Sequence, residues 1–97
     1  MFTTIATTRF TDWLKGLKDR KGASKIAARI ARLQGGNLGD VKSVGGKVSE
    51  LRIAFGPGYR IYFTRRGEQV IILLCGGDKG SQARDIRLAQ EMAAEIE

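Results

Sequence analysis

The sequence contains no histidine, and this absence removes several kinds of chemistry at once. Ser-His-Asp and Cys-His catalysis, histidine-ligated zinc and imidazole proton relays all need a side chain that the protein does not have. Any catalysis must therefore use lysine, arginine, tyrosine or carboxylate groups. We expect no metal and no organic cofactor.

Cysteine and long apolar segments are also scarce. The single cysteine, Cys75, cannot form an internal disulfide and lies in an apolar run, which is typical of a small buried residue. No apolar run approaches the roughly 20 residues that span a bilayer. The first segment, "MFTTIATTRF", lacks the basic and apolar regions of a secretory signal, so we expect a cytoplasmic protein.

Negative charge is in short supply for a chain of this size. The 97 residues are enough for one hydrophobic core, and we expect a single domain over 1–97. They include 17 Lys and Arg against 10 Asp and Glu, which gives a net charge of +7. Ten of the basic residues but only four of the acidic ones lie in the first 50 positions. This excess predicts a polyanionic partner, which is nucleic acid, a ribonucleoprotein surface or an acidic protein.

The spacing of apolar residues predicts an α+β domain. A short β-branched strand at the start is followed by two amphipathic helices, "TRFTDWLKGLKDR" and "ASKIAARIARLQ". The segments "VSELRIAF", "YRIYFTRR" and "QVIILLC" predict three strands joined as antiparallel hairpins, and "DVKSVGGK" is either a further short strand or a loop. With a last helix, "QARDIRLAQEMAAEIE", the predicted order is β-α-α-β-β-β-α, a helical hairpin packed on a small antiparallel sheet.

The turn at residues 56–58, "GPG", determines which side chains share a face of the sheet. As a three-residue connection it places Arg52 opposite Tyr62 and Ala54 opposite Arg60, with Arg52, Arg60 and Tyr62 on one face. This face is either the solvated side of the sheet or a phosphate site. Adjacent like charges favour an anion, a guanidinium matches phosphate oxygens, and tyrosine stacks on a base.

Two other basic features each have a structural and a functional interpretation. The strand-to-helix corner "CGGDKGSQARD" places Lys79 beside backbone N–H groups that favour anions, although a solvated lysine at a flexible corner has the same sequence and P-loop spacing is absent. On the second helix, Lys25, Arg29 and Arg32 recur on one side. They are either the solvated face of that helix or contacts to RNA phosphates.

The stretches "ELRIAFGPGYRIYF" and "VIILLCGGDKGSQARDI", with a helical hairpin before them, resemble the RelE/ParE toxin superfamily. Within it, the similarity is to the HigB-like addiction module killer proteins of type II toxin–antitoxin systems, over nearly the whole chain. The resemblance implies a microbial-ribonuclease-like α+β fold and a cognate antitoxin, often a helix-turn-helix protein. Many members cleave mRNA on the ribosome without a metal, whereas the ParE branch inhibits DNA gyrase by binding.

The same resemblance implies roles for individual residues. Arg60 matches the strand arginine that holds the scissile phosphate, Arg52 lies near the basic strand residues, and Lys79 lies where the family has a basic residue after the last strand. These three are the predicted catalytic residues. The predicted RNA-binding residues are Lys47, Tyr62, Gln82 and Arg84.

The general base is the point at which this chain departs from the family. Ribonuclease members often have a C-terminal Tyr or His that is absent here, which leaves Asp85 or Asp78, or a lysine activated by its arginine neighbours, to deprotonate the 2′-hydroxyl. We therefore expect a ribosome-dependent mRNA endoribonuclease that inhibits translation. The alternative is a ParE-like inhibitor of DNA gyrase without catalytic activity.

Overall fold

A computed structural model describes residues 1–96 of the protein. In that range no helix is both long enough and apolar enough to cross a membrane. The helices and strands in chain order are β1 (Thr3–Ala6), α1 (Thr8–Lys15), α2 (Arg20–Gln34), β2 (Val41–Gly45), β3 (Val48–Ile53), β4 (Tyr59–Arg66), β5 (Val70–Asp78) and α3 (Gln82–Ile96), with a single 3-10 turn (Lys79–Ser81) between β5 and α3.

The five strands form one sheet in the order β1-β5-β4-β3-β2. The α+β class is confirmed, and the segment whose sequence fitted either a strand or a loop forms β2, the edge strand beside β3. Strands β2 to β5 are antiparallel neighbours, as expected, while β1 runs parallel to β5 at the other edge. The alternation of residues within a strand carries no information about the direction of its neighbour, so the sequence did not predict this parallel pair.

Helices cover both faces of the sheet. Strands β3, β4 and β5 contribute side chains to a core under α1 and α2, and side chains of the same strands pack on the other face against α3. The central strands are therefore buried on both sides, which explains the continuous apolar run of β5. The core under α1 and α2 consists of Phe10, Ile26, Leu33, Leu51, Ile53, Tyr59, Ile61, Phe63, Ile71 and Leu73.

The β3–β4 hairpin has a register that differs by two residues from the predicted one. Ile53 pairs with Tyr59 and Arg52 pairs with Arg60, because the connection spans residues 54–58 and not 56–58 alone. A shift of two keeps every side chain on its predicted face, since side chains alternate with a period of two. Its consequence is that the two arginines lie directly opposite each other, where the predicted register made them diagonal neighbours.

Two hydrogen bonds and two glycines form this longer connection. The N–H of Phe55 donates to the carbonyl of Ile53 at 2.9 Å, and the N–H of Gly58 donates to the carbonyl of Phe55 at 3.0 Å. Gly56 and Gly58 have φ angles of 57° and 82°, a region that side chains other than glycine rarely adopt. The first of these bonds tightens the chain immediately after β3, which moves the start of the turn upstream of Gly56.

The start of α2 is attached to this hairpin through Asp19. Its carboxylate accepts a hydrogen bond from the N–H of Gly22 at 2.9 Å, as an N-cap, and another from the hydroxyl of Tyr59 at 2.7 Å. The hydrogen bond to Asp19 raises the pKa of Tyr59 to about 12. The bond from Tyr59, with that from Gly22, lowers the pKa of Asp19. Gly22 is buried at this junction, and a β-carbon there would lie 2.6 Å from both Asp19 and Tyr59.

Replacing Gly22 by alanine tests the junction. At an exposed position inside a helix, a change from glycine to alanine raises the free energy of unfolding by about 1 kcal/mol. Here we expect Gly22→Ala to lower the free energy of unfolding by about 1 to 3 kcal/mol, because the new methyl group displaces the capping carboxylate or the buried ring. Urea denaturation measures it, with Ala27→Gly at an exposed position of α2 as the propensity control. A more stable Gly22→Ala protein would contradict the packing described.

The cap also predicts a dependence of stability on pH. Because the pKa of Asp19 is lower in the folded protein, its contribution is fully present above the ordinary carboxyl pKa and is lost as the pH falls from there through the lower pKa of the folded state. We expect Asp19→Asn to flatten the acidic limb of a plot of Tm against pH relative to the wild type. Asp12→Asn, an exposed position in α1, should leave that limb unchanged.

Candidate functional site

Arg52 and Arg60 form the centre of the candidate site. They are paired residues of neighbouring antiparallel strands, so their side chains leave the same face of the sheet, the face covered by α3. The Arg52 side chain is 37% exposed, whereas that of Arg60 is 12% exposed. The structure thus brings together the two arginines that the sequence placed on one face, one open to solvent and the other largely covered.

A buried carboxylate lies between these arginines. Glu50 precedes Arg52 by two positions in β3 and therefore shares its face. Its side chain is 1% exposed, with one oxygen 3.9 Å from Nε of Arg52 and the other 4.0 Å from Nε of Arg60. Sequence reasoning missed Glu50, although the alternation in "SELRI" contains the signal. The carboxylate is the resident anion that offsets the repulsion of the arginine pair.

The same carboxylate oxygen that faces Arg60 accepts two hydrogen bonds. The amide of Gln82, the first residue of α3, donates to Glu50 at 2.7 Å, and the hydroxyl of Tyr62 donates at 3.3 Å. Tyr62 is fully buried, and this burial, followed by the charge of Glu50, raises its pKa above the ordinary range. Glu50 thereby joins strands β3 and β4 to the start of α3.

Two of the predicted RNA-binding residues, Tyr62 and Gln82, do not face solvent as the prediction requires. The ring of Tyr62 lies beneath α3 with no exposed surface and is not available to stack on a base. Gln82 is half-buried and directs its amide inward to Glu50. The sequence placed Tyr62 on the correct face, but it did not predict that α3 covers that face. Tyr62 and Gln82 instead bind Glu50, the carboxylate that lies between the two arginines.

Within residues 1–96, three buried side-chain atoms of this cluster have no hydrogen-bond partner. They are Oε1 of Glu50, Nε of Arg52 and Nε of Arg60. The distances near 4 Å bring opposite charges together without making hydrogen bonds. Buried polar groups are satisfied almost everywhere in folded proteins, and the exceptions concentrate at functional sites.

Arg52 provides the exposed side of the cluster. Its Nη2 donates to the carboxylate of Asp40 at 3.4 Å, and the Asp40 side chain is 62% exposed. Exposed ion pairs of this kind contribute about 0 to 1 kcal/mol. An anionic ligand that binds Nη2 of Arg52 therefore has to displace only the weakly held Asp40, while Glu50 remains near Nε.

Lys79 and Asp78, two predicted site residues, lie where β5 ends. Lys79 is exposed in the 3-10 turn, and its Cβ lies near Gly58, at the same end of the sheet as the arginine pair. Asp78 accepts a hydrogen bond from the N–H of Gly80 at 2.8 Å and caps that turn. It pairs with Tyr59, whose ring packs under α1 and α2, so Asp78 leaves the sheet on the face opposite to the arginines.

Asp85, the other candidate base, lies on the arginine face. Its carboxylate rests against Gly77, the β5 partner of Arg60, and accepts a hydrogen bond of 2.5 Å from the hydroxyl of Ser81. Asp85 also lines an open cavity of about 580 Å³ between α1 and α3. The neighbouring Arg84 is 78% exposed, with its Nε 4.0 Å from Asp85. Of the two candidate bases, the structure places Asp85 on the arginine face.

Lys47 lies away from this cluster. It occupies the turn between β2 and β3 with a φ of 64°, and its carbonyl accepts a hydrogen bond of 2.7 Å from the hydroxyl of Thr64. The length of β3 separates it from Arg52, roughly 16 Å at the rise of an extended strand. The predicted RNA contact of Lys47 would therefore belong to a different part of the surface.

Comparison with known proteins places this chain in a family. The family described as "Phage derived protein Gp49-like (DUF891)" matches residues 12–94. The chain belongs to the Gp49-like family. An uncharacterized protein of Haemophilus influenzae (strain Rd) is similar to this Gp49-like chain, 49% identical over 90 residues that cover 93% of this chain and 91% of the relative. The matched segment contains every residue of the arginine cluster.

Substitution of Glu50 tests whether this carboxylate holds the cluster. Glu50→Gln keeps the shape but leaves two arginine charges without their anion, and we expect a loss of about 3 kcal/mol in the free energy of unfolding. The exposed Glu68→Gln is the matched control and should change stability by less than about 0.5 kcal/mol. In a double-mutant cycle with Arg52→Gln, we expect a coupling of about 1 kcal/mol or more. Additive effects would show that Glu50 and Arg52 act independently.

Proposed function

We propose that this Gp49-like protein is the toxin of a type II toxin–antitoxin system, acting as a ribosome-dependent mRNA endoribonuclease that needs no metal. The observation that carries the proposal is the arginine pair on one sheet face, with one guanidinium exposed and both oriented by a buried carboxylate. The net charge of +7 supports RNA as the substrate class.

In this proposal the arginines act on the phosphate that is cleaved. Attack of the 2′-hydroxyl on phosphorus builds negative charge on the non-bridging oxygens as the bond to the 5′-oxygen breaks. Arg52 presents its guanidinium to those oxygens after release of Asp40. Arg60, its partner on β4, adds positive charge from its more deeply covered position. Lys79, exposed at the same end of the sheet, donates a proton to the leaving 5′-oxygen.

The proton of the 2′-hydroxyl needs an acceptor, and the two carboxylates on this face have different surroundings. Glu50 is completely covered, so we assign it to positioning the arginines. The Asp85 side chain is 11% exposed and lines an open cavity, and within residues 1–96 its carboxylate accepts a hydrogen bond from Ser81, a hydroxyl that a substrate hydroxyl can replace. We therefore assign Asp85 as the base, with the ribosome aligning the mRNA.

The proposal includes a cognate antitoxin as the partner that blocks the toxin. A surface with seven excess positive charges favours a partner whose contact surface carries acidic groups. We expect that partner to be a helix-turn-helix protein, on the resemblance to HigB-like systems described above. Co-purification of the two proteins from one operon tests this partnership directly.

Substitution of Arg60 tests the function. In a bacterial host with inducible expression, we expect the wild type to arrest growth and to cut translated mRNAs, mapped by primer extension. Arg60→Ala should lower cleavage by about 10²- to 10³-fold, the loss typical of removing one transition-state contact. Arg66→Ala, an exposed arginine on the same strand, is the matched control and should remain toxic. Arg60→Lys keeps the charge without the guanidinium fork and separates loss of chemistry from loss of folding.

Two outcomes would contradict the endoribonuclease assignment. Full toxicity and unchanged mRNA cuts from a folded Arg60→Ala protein would remove the arginine pair from the mechanism. Growth arrest without mRNA cuts, accompanied by DNA breaks, would assign the protein to gyrase inhibition. A DNA-damage reporter in the same strain distinguishes the second outcome from the first.

A further inference from the structure

A basic groove lies on the face of the sheet opposite to the arginine cluster, between α2 and the β3–β4 connection. Its volume is about 300 Å³. Its lining has three cations, an aromatic ring and small apolar residues but no acidic side chain, whereas the cavities beside α3 each contain carboxylates. The residues that line it are Lys25, Ala28, Arg29, Arg32, Ile53, Ala54 and Phe55.

Arg29 forms the floor of this groove. It is 7% exposed and donates hydrogen bonds of 3.3 Å to the carbonyls of Leu38 and Arg52. Burial lowers the pKa of Arg29, the charge of Arg32 lowers it further, and the nearby carboxylate of Asp40 partly opposes both effects. Arg29 is therefore a structural cation beneath the surface, which corrects the expectation that all three basic residues of α2 form one solvated or phosphate-binding face.

The other two cations remain at the surface. Lys25 and Arg32 are exposed on α2, and Lys25 places its ammonium 5.6 Å from the centre of the Phe55 ring. Phe55 is half-buried, with one side packed on the core and the other beneath this ammonium. An exposed cation–π contact of this kind is weak, and stacking of a nucleobase on an aromatic ring is generally at least as strong. A base that stacks on Phe55 would take the place of Lys25 over the ring and leave its ammonium group to bind a phosphate.

We propose that this groove is a subsite for a single-stranded segment of the RNA that flanks the cleavage site. A base stacks on Phe55, and its phosphates contact Lys25 and Arg32. This inference rests on the proposed function for the identity of the substrate, but it concerns different residues and a different step, the binding of RNA outside the arginine cluster.

Arg29 connects the groove to the arginine cluster through the backbone of β3. Arg29 binds the backbone carbonyl of Arg52, whose side chain leaves the opposite face of the strand. Phe55 follows Arg52 by three residues, which in a fully extended chain would span at most roughly 10 Å and here spans less because of the turn after Ile53. The hairpin connection at residues 54–58 contains no charged residue, and the carboxylate beside it, that of Asp19 near Gly56, is already bound by Tyr59 and by the N–H of Gly22.

The test is direct binding of a fluorescein-labelled single-stranded RNA to the full chain, without ribosomes, by anisotropy at several salt concentrations. Phe55→Leu keeps an apolar side chain but removes the stacking face, and we expect about 5- to 10-fold weaker binding with an unchanged salt slope. Lys25→Gln and Arg32→Gln should each weaken binding and reduce the slope of log K against log salt by about 0.7. Arg66→Gln, at the far end of β4, is the control for charge and should leave affinity within twofold.

The outcomes separate this inference from the proposed function. Wild-type RNA affinity in all three groove variants overturns the subsite, whatever the Arg60 experiment shows. A labelled acidic peptide is measured in the same assay; if the variants bind this peptide more weakly while RNA affinity is unchanged, the subsite is overturned and the groove is assigned to a protein partner. Weakened RNA binding in these variants supports the subsite even where Arg60→Ala proves irrelevant to cleavage, because the assay contains no cleavage step.

Discussion

The arrangement of this protein depends on one buried carboxylate. Glu50 lies between two arginines that would otherwise repel each other across adjacent strands, and it also accepts hydrogen bonds from Tyr62 and Gln82. Without an anion at this point, β3 and β4 would hold two adjacent guanidinium groups, one of them largely covered, with no compensating charge. The carboxylate therefore links three requirements: the register of the hairpin, the docking of α3 and the orientation of the positive charges.

The two faces of the sheet divide these tasks. The face under α1 and α2 is mainly apolar and is fixed at its end by the bonds from Tyr59 to Asp19 and from Arg29 to two carbonyls. The face under α3 becomes polar toward the hairpin, where Gly77 leaves space that Asp85 occupies. A rigid apolar layer thus supports a polar layer with incompletely satisfied groups, an arrangement typical of sites that bind a ligand.

Sequence reasoning reached the α+β class, the helical hairpin and the arginine face because these follow from local periodicity. The alternation of "LRIAF" and "YRIYF" was sufficient to put Arg52 and Arg60 on one side. It was not sufficient for the register, which depends on the hydrogen bond between Phe55 and Ile53, or for the burial of Tyr62, which depends on where α3 packs. Glu50 was missed because a glutamate in a strand is ordinarily a solvated residue, and only tertiary packing shows otherwise.

The partial burial of the arginine pair has a consequence for the proposed function. Arg60 is largely covered and Arg52 is engaged by Asp40, so free RNA meets one exposed guanidinium rather than two. Such a site binds phosphate weakly by itself and needs an external surface to hold the substrate in line. The proposed dependence on the ribosome is compatible with this geometry, because a ribosome-bound mRNA would bring the alignment that a small basic protein with a covered site lacks. A groove with exposed Lys25 and Arg32 would then contribute positioning without adding to the chemistry.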